Sequence, residues 1–200
     1  LTDVHNEKGE WIYMPGVVTL KSRQRRMCDW MNSDLAYRFI AIGRTTAWPD
    51  GENNPPYPDE KATEIEELIG LQRIDSYQYA KVIENPTTLQ KRTGIFYKGL
   101  YYSVTDDQEL ALKEGYTSIM CKVILDRDSI EAIPINITYR QVGLYIDVNA
   151  TPDEVQYGIT PTQWNNKLPE DKGTLEVIDN RNPISRNDSQ QEEIFILLDF

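Results

Sequence analysis

One histidine and two cysteines are all that the 200 residues contain of those types, and this scarcity removes whole classes of chemistry. His5 stands alone in a polar leading segment. Ser/His and Cys/His nucleophilic schemes would rest on it, and paired-imidazole metal binding has no second ring. We read it as a mobile terminal residue rather than a catalyst. Cys28 and Cys121 lie far apart and match no metal or redox spacing, so both are expected to be buried thiols of a reducing compartment. Long apolar runs are missing too: the stretches 39–42 and 194–198 are strand-sized, which excludes a transmembrane role. No glycine pattern precedes Lys-Ser or Lys-Thr or has dinucleotide-fingerprint spacing, so nucleotide binding is not expected. There is no fixed-period repeat and no low-complexity tract. The sequence opens on Leu1 with neither an initiator Met nor a signal pattern, so we expect the chain to begin after trimming or after further residues.

What is present is a globular composition, 40% hydrophobic, 26% charged and 10% aromatic. A chain this long buries roughly 70% of its surface, so it needs no disulfide or metal for stability. The net charge of −11 repels nucleic acid and anionic lipid from the molecule as a whole. Periodicity predicts a hairpin or extended arm over 1–20, turning at Pro15-Gly16, and helices over 22–35, 59–70 and 105–115, the last two opened by the capping-box pairs Thr63/Glu66 and Thr105/Gln108. Strands are predicted over 37–43, 94–104, 116–125 (pairing with 94–104), 133–138, 140–148, 174–179 and 193–199. Phe39, Ile40 and Ile42 are expected in the core, and 193–200 as a docked strand rather than a frayed tail. The sum is a β-rich α+β fold with about three helices, one domain over 1–200 with a Pro-rich loop at 45–59.

Asp126, Asp128 and Glu131 could gather round a divalent ion, but carboxylates at a strand end are more often solvated turn residues. The adjacent acids Glu66-Glu67, Asp106-Asp107 and Glu192-Glu193 point apart in helix or strand and do not form a catalytic pair. No cofactor and no catalytic residue is expected. Residues 21–44 carry Lys21, Arg23, Arg25, Arg26, Arg38 and Arg44 against Asp29 and Asp34, a local +4. Residues 50–70 carry seven acids against Lys61, a local −6. An internal or inter-subunit charge match is favoured over nucleic acid, because no base-stacking motif accompanies the basic run. Pro55-Pro56-Tyr57-Pro58, after Trp48, makes a stiff loop with two readings left open: it presents Trp48 and Tyr57 to a partner, or it packs on its own domain.

The run Phe39-Ile40-Ala41-Ile42-Gly43-Arg44, then Trp48 and Pro55 to Pro58, resembles a segment of the baseplate wedge proteins of contractile-tailed bacteriophages. In the same order, Arg23, Met27 and Asn32 are similar to that family's N-terminal helix. Arg140-Gln141-Val142-Gly143-Leu144 resembles a strand near the start of its last third, and 176–184 with Gln191 to Ile194 and Phe200 its closing segment. The family member compared is longer, and no contact of the family is carried onto residues 60–139. The resemblance implies a β-sandwich-like core and a non-enzymatic subunit of the virion tail, assembled in the host cytoplasm, with other baseplate wedge and tail proteins as partners. It further implies a homodimer that rearranges to release sheath contraction. Arg44, Trp48, Pro55, Pro56, Tyr57, Pro58, Arg140 and Arg181 are the candidate structural or interface residues. Competing readings are a carboxylate-dependent cell-wall or polysaccharide hydrolase and a nucleic-acid-binding module using 21–26.

Overall fold

Every residue of the strand Phe39–Gly43 is buried, and alternation explains how both of its faces find apolar company. Ile40 and Ile42 enter one hydrophobic cluster, Phe39 and Ala41 another, because successive side chains of a strand point to opposite faces. The computed structural model describes residues 4–5, 11–12, 17–34, 37–125, 132–187 and 191–200. Among these, the strands are β1 (Val4–His5), β2 (Trp11–Ile12), β3 (Phe39–Gly43), β4 (Gly70–Arg73), β5 (Ser76–Val82), β6 (Ile95–Tyr97), β7 (Leu100–Thr105), β8 (Ser118–Leu125), β9 (Ile137–Ile146), β10 (Thr174–Arg186) and β11 (Glu192–Asp199). The helices are α1 (Leu20–Asn32), α2 (Thr88–Thr93), α3 (Gln108–Glu114), α4 (Pro152–Tyr157) and α5 (Pro161–Asn166).

Two antiparallel sheets face each other, one in the order β10-β9-β3-β4 and the other in the order β11-β8-β5-β7-β6. Between them lie Ile40, Ile42, Val142 and Leu144 from the first sheet and Ile119, Cys121, Val123, Ile194 and Ile196 from the second, with Met27 and Trp30 of α1 joining the same cluster. The back of the first sheet is covered by Ile65, Ile159 and Trp164. The architecture is thus a β-rich α+β fold with a sandwich-like core. β11 is docked along its whole length against β8, with Ile194 and Ile196 essentially inaccessible. Phe39, Ile40 and Ile42 are core residues as expected.

Several details depart from the sequence reading. Residues 59–70 form turns and not a helix. Side chains of β9 take up their backbone groups: Ile65 N donates to Tyr145 Oη at 3.1 Å and Glu66 N to Gln141 Oε1 at 2.7 Å, so tertiary hydrogen bonds replace the helical ones. Gly70 is no helix stop; a Cβ there would lie 2.3 Å from the carbonyl oxygen of Ala132. β8 pairs with β5 and β11, and β5 stands between it and the hairpin β6–β7. That hairpin turns at Lys98-Gly99, both at positive φ, the requirement of a two-residue primed turn. The stretch 133–136 is irregular, and β9 begins at Ile137. β1 and β2 pair with Val4 opposite Ile12; the turn expected at Pro15-Gly16 lies outside the described residues, and 17–19 form no strand. Cys121 is buried, but Cys28 is only partly so. Helices α2, α4 and α5 were not anticipated.

Candidate interaction surface

β3 and β4 are hydrogen-bonded neighbours, Ile42 opposite Gly70, yet the chain between them takes the long excursion 44–69. Structureless connections beyond about 12–15 residues are uncommon in compact domains and are usually functional when ordered. This one is pinned to the first sheet at successive points. Arg44 leaves β3 at φ 56, its N–H donates to Glu66 O at 2.7 Å, and its guanidinium ion-pairs with the Glu66 carboxylate. The same guanidinium sits 4.2 Å from the centre of the Trp48 ring. Arg140 of β9 holds Glu52 through two hydrogen bonds, 2.8 and 2.7 Å, and also donates to Thr45 O. This planar fork fixes both position and direction. Trp48 is buried and donates from Nε1 to Arg181 O at 2.8 Å. Asn180 Nδ2 donates to Pro56 O at 3.0 Å, and its Oδ1 accepts from Gln141 at 2.9 Å.

The two readings of the Pro-rich loop therefore divide between its residues. Trp48 packs on its own sheet, whereas Tyr57 is 98% exposed. Pro56 is exposed, and Pro55 and Pro58 are half-buried. The eight candidate residues belong either to the excursion 44–69, here called the strap, or to the strands β9 and β10 that hold it. Two clefts flank the strap and share Asn180. One, of about 320 Å³, is lined by Arg44, Trp48, Pro56, Tyr57 and Glu66. The other, of about 340 Å³, runs between Pro55 and the β6–β7 hairpin residues Phe96, Tyr97 and Lys98, with Arg181 and Asn182 opposite.

Beneath the second cleft lies a buried charge cluster. Asp179 is 2% exposed; it accepts from Arg181 Nε at 2.8 Å and Tyr97 Oη at 3.1 Å and pairs with Lys98 Nζ at 2.6 Å. Burial alone would lower the Arg181 pKa, but Asp179, with Tyr97 and Tyr139 beside it, opposes this, and the net shift is upward. Arg181 also donates to Phe195 O on β11. It thereby ties β10, the edge of one sheet, to β11, the edge of the other.

Glu67 closes the base of the strap on itself. Its carboxylate accepts from Thr45 Oγ1 at 2.5 Å, Thr45 N at 2.9 Å and Thr46 N at 3.0 Å, and the Thr45 and Thr46 bonds hold its pKa at about 2 against an ordinary 4.5. A carboxylate depressed in the folded state contributes stability above pH 4.5 that is lost as the pH falls towards 2. Acid titration of the melting temperature is expected to show a drop across that window that is shallower in Glu67→Gln. Equal slopes would show that this carboxylate does not hold the strap.

The charge match between 21–44 and 50–70 is internal at one place, Arg44 with Glu66. Other basic residues of the first segment serve the fold: Arg38 is buried 3.4 Å from the centre of the Trp30 ring and donates to Trp30 O, and Arg23 donates to Phe200 O. Arg25 and Arg26 remain exposed, the former paired with Asp29 at 3.7 Å. The backbone of His5 pairs with Trp11 in β1–β2, and Asp126, Asp128 and Glu131 lie outside the described residues. A larger cleft of about 520 Å³ lies away from the strap, lined by Asp153, Tyr157, Gly158, Thr160 and Gln163. No helix among the described residues is long and apolar enough to cross a membrane. The sequence reading missed Glu52, Glu67, Asp179 and Asn180 as members of the site. For Asp179 a signal existed, since it stands two residues before Arg181 in a strand and so shares its face.

Two packed sheets thus carry a pinned, outward-facing strap. A family model described as "Baseplate wedge 3 tail fiber network component" matches residues 27–200, and the chain belongs to that family, a structural component of the phage virion and its baseplate. It is also similar to "Virion protein 3" of Enterococcus phage phiEF24C, 26% identical over 161 residues that cover 80% of this chain and 82% of that protein. The resemblance read from the motifs at 39–58, 140–144 and 176–194 is met at the level of the family.

Proposed function

We propose that the chain is a non-enzymatic homodimeric subunit of a baseplate wedge in a contractile tail. It joins neighbouring wedge and tail-fibre proteins, holds the baseplate in its pre-attachment form, and repacks when host contact releases the sheath. The observation that carries this reading is the 44–69 excursion, which Arg44, Arg140 and the buried Trp48 fix as a surface instead of leaving it a mobile loop. Ordering such a segment before binding lowers the cost of association. Interfaces made of discrete pins can also exist in two arrangements, as a rearranging assembly requires.

A phage carrying a stop codon in this gene tests the role directly. Particles grown without complementation are expected to lack a complete baseplate, and the chain supplied in trans should restore plaque formation by several orders of magnitude. Normal, infectious tails without the chain would refute the reading. Light scattering over a concentration series checks the dimer, and a monomer at every concentration would remove that part.

A further inference from the structure

The strap tip and the cleft beside it are chemical complements of one another. Residues 54–59 carry no helix, strand or turn, and prolines 55, 56 and 58 fix φ there. With three prolines among its six residues and Pro56 O held by Asn180, the segment is a stiff Pro-rich ligand whose ordering has already been met by the fold. Its tip residue Tyr57 is 98% exposed, and the acids around it, Asp50, Asp59 and Glu60, are exposed and outnumber the one exposed base beside them, Lys61. Segments of this kind dock in grooves floored by aromatic rings. The cleft between the strap and the β6–β7 hairpin has that floor in Phe96, which is 60% exposed, and Tyr97. Its charged residues are Lys98 and Arg181, two cations sharing the single carboxylate of Asp179, a local excess of one positive charge.

We propose that a second copy of this chain occupies the cleft: Pro55 to Pro58 of one protomer enter the Phe96–Lys98 cleft of the other, and the reverse contact forms at the same time. Ligand and receptor lie side by side and share Pro55, so one two-fold axis near Asn180 makes both contacts, as an isologous interface demands. A chain of net charge −11 repels its own copy over most of its surface. Here an acidic tip meets a basic rim, which selects this orientation. The inference rests on the homodimer reading above and names the surface that builds it.

Mixing variants of the full chain tests the exchange. Tyr57→Ala and Phe96→Ala alter exposed side chains, so both proteins are expected to melt like the parent. In sedimentation at a concentration where the parent is dimeric, each variant alone should be largely monomeric, its dissociation constant raised at least about tenfold. An equimolar mixture should recover dimer, because one of its two contacts joins the intact Tyr57 of one chain to the intact Phe96 of the other. Recovery on mixing, weakened by raised salt, is the expected result. Variants that dimerise like the parent, or a mixture that stays monomeric, would overturn the exchange while leaving a dimer through another surface in place. A parent that never dimerises would instead remove the dimer reading on which the exchange rests.

Discussion

Replacing Asp179 by alanine is expected to lower the stability of the fold by about 3–5 kcal/mol, the usual cost of stranding one partner of a buried ion pair. The carboxylate is 2% exposed and serves Arg181, Lys98 and Tyr97 together. Lys98, with a side chain 57% exposed, can turn to water, whereas the Arg181 side chain is 15% exposed and tied to Phe195 O. The uncompensated charge therefore falls on Arg181. For a domain of this length the loss corresponds to about 6–20 °C in melting temperature. The double variant Asp179→Ala/Arg181→Met separates this cause from simple loss of packing. It removes the stranded charge along with its partner, so it should recover a large part of the loss, although the link from β10 to β11 is gone. A single variant that melts like the parent would show that the cluster does not close the sandwich.

Asp179 also shows what could be read in the sequence and what could not. The strand expected over 174–179 ended at Asp179 and left Arg181 outside it, and nothing local said that the Asp179 side chain looks inward at a hairpin some eighty residues earlier. The strands β3, β8 and β11 were legible because burial of both faces writes itself into their composition, whereas β9, one strand over Ile137–Ile146, was read as two, 133–138 and 140–148. β5 (Ser76–Val82) was missed because Ser76, Gln78 and Lys81 dilute its pattern, although it lies central in its sheet. The forecast helix at 59–70 had a proper capping pair in Thr63 and Glu66, and it failed because Tyr145 and Gln141 on β9 offered the backbone better-placed partners. Helices α4 and α5 carried clear signals that went unread: Thr151-Pro152 with Glu154 and Thr160-Pro161 with Gln163 each complete a capping box with proline in the first turn. Among the site residues, Trp48 and Tyr57 were legible as aromatic residues of a proline-rich loop, and Arg140 and Arg181 only through the segments that resemble the family. Glu52, Glu67 and Asn180 were not, since acids and amides are ordinary in loops until the partner across the fold is known.

Deleting residues 193–200 is expected to yield insoluble or unfolded protein and to abolish incorporation into virions. β11 pairs with β8 at eight consecutive positions, Glu192 with Leu125 through Asp199 with Ser118. Its inward side chains Ile194, Ile196 and Leu198 are 1%, 0% and 7% exposed. Burying each contributes roughly 1.5–3 kcal/mol, so together they amount to about 5–9 kcal/mol, comparable to the entire net stability of a typical domain, about 5–15 kcal/mol. The deletion removes more than these contacts. Phe200, whose ring lies 6.5 Å from that of Trp30, no longer covers α1, and Arg181 loses its acceptor at Phe195 O. β8 becomes an edge strand whose Ile119, Cys121 and Val123 lose their cover from β11, the combination that promotes strand-to-strand aggregation. A milder change keeps the claim testable if the truncated chain cannot be purified: Ile196→Ala retains the strand pairing and should cost about 2–5 kcal/mol through the cavity it leaves. Denaturant unfolding of that variant, with the midpoint lowered and the slope unchanged, is the expected outcome. A truncated chain that stays soluble, melts normally and assembles would show that the sandwich closes without its last strand.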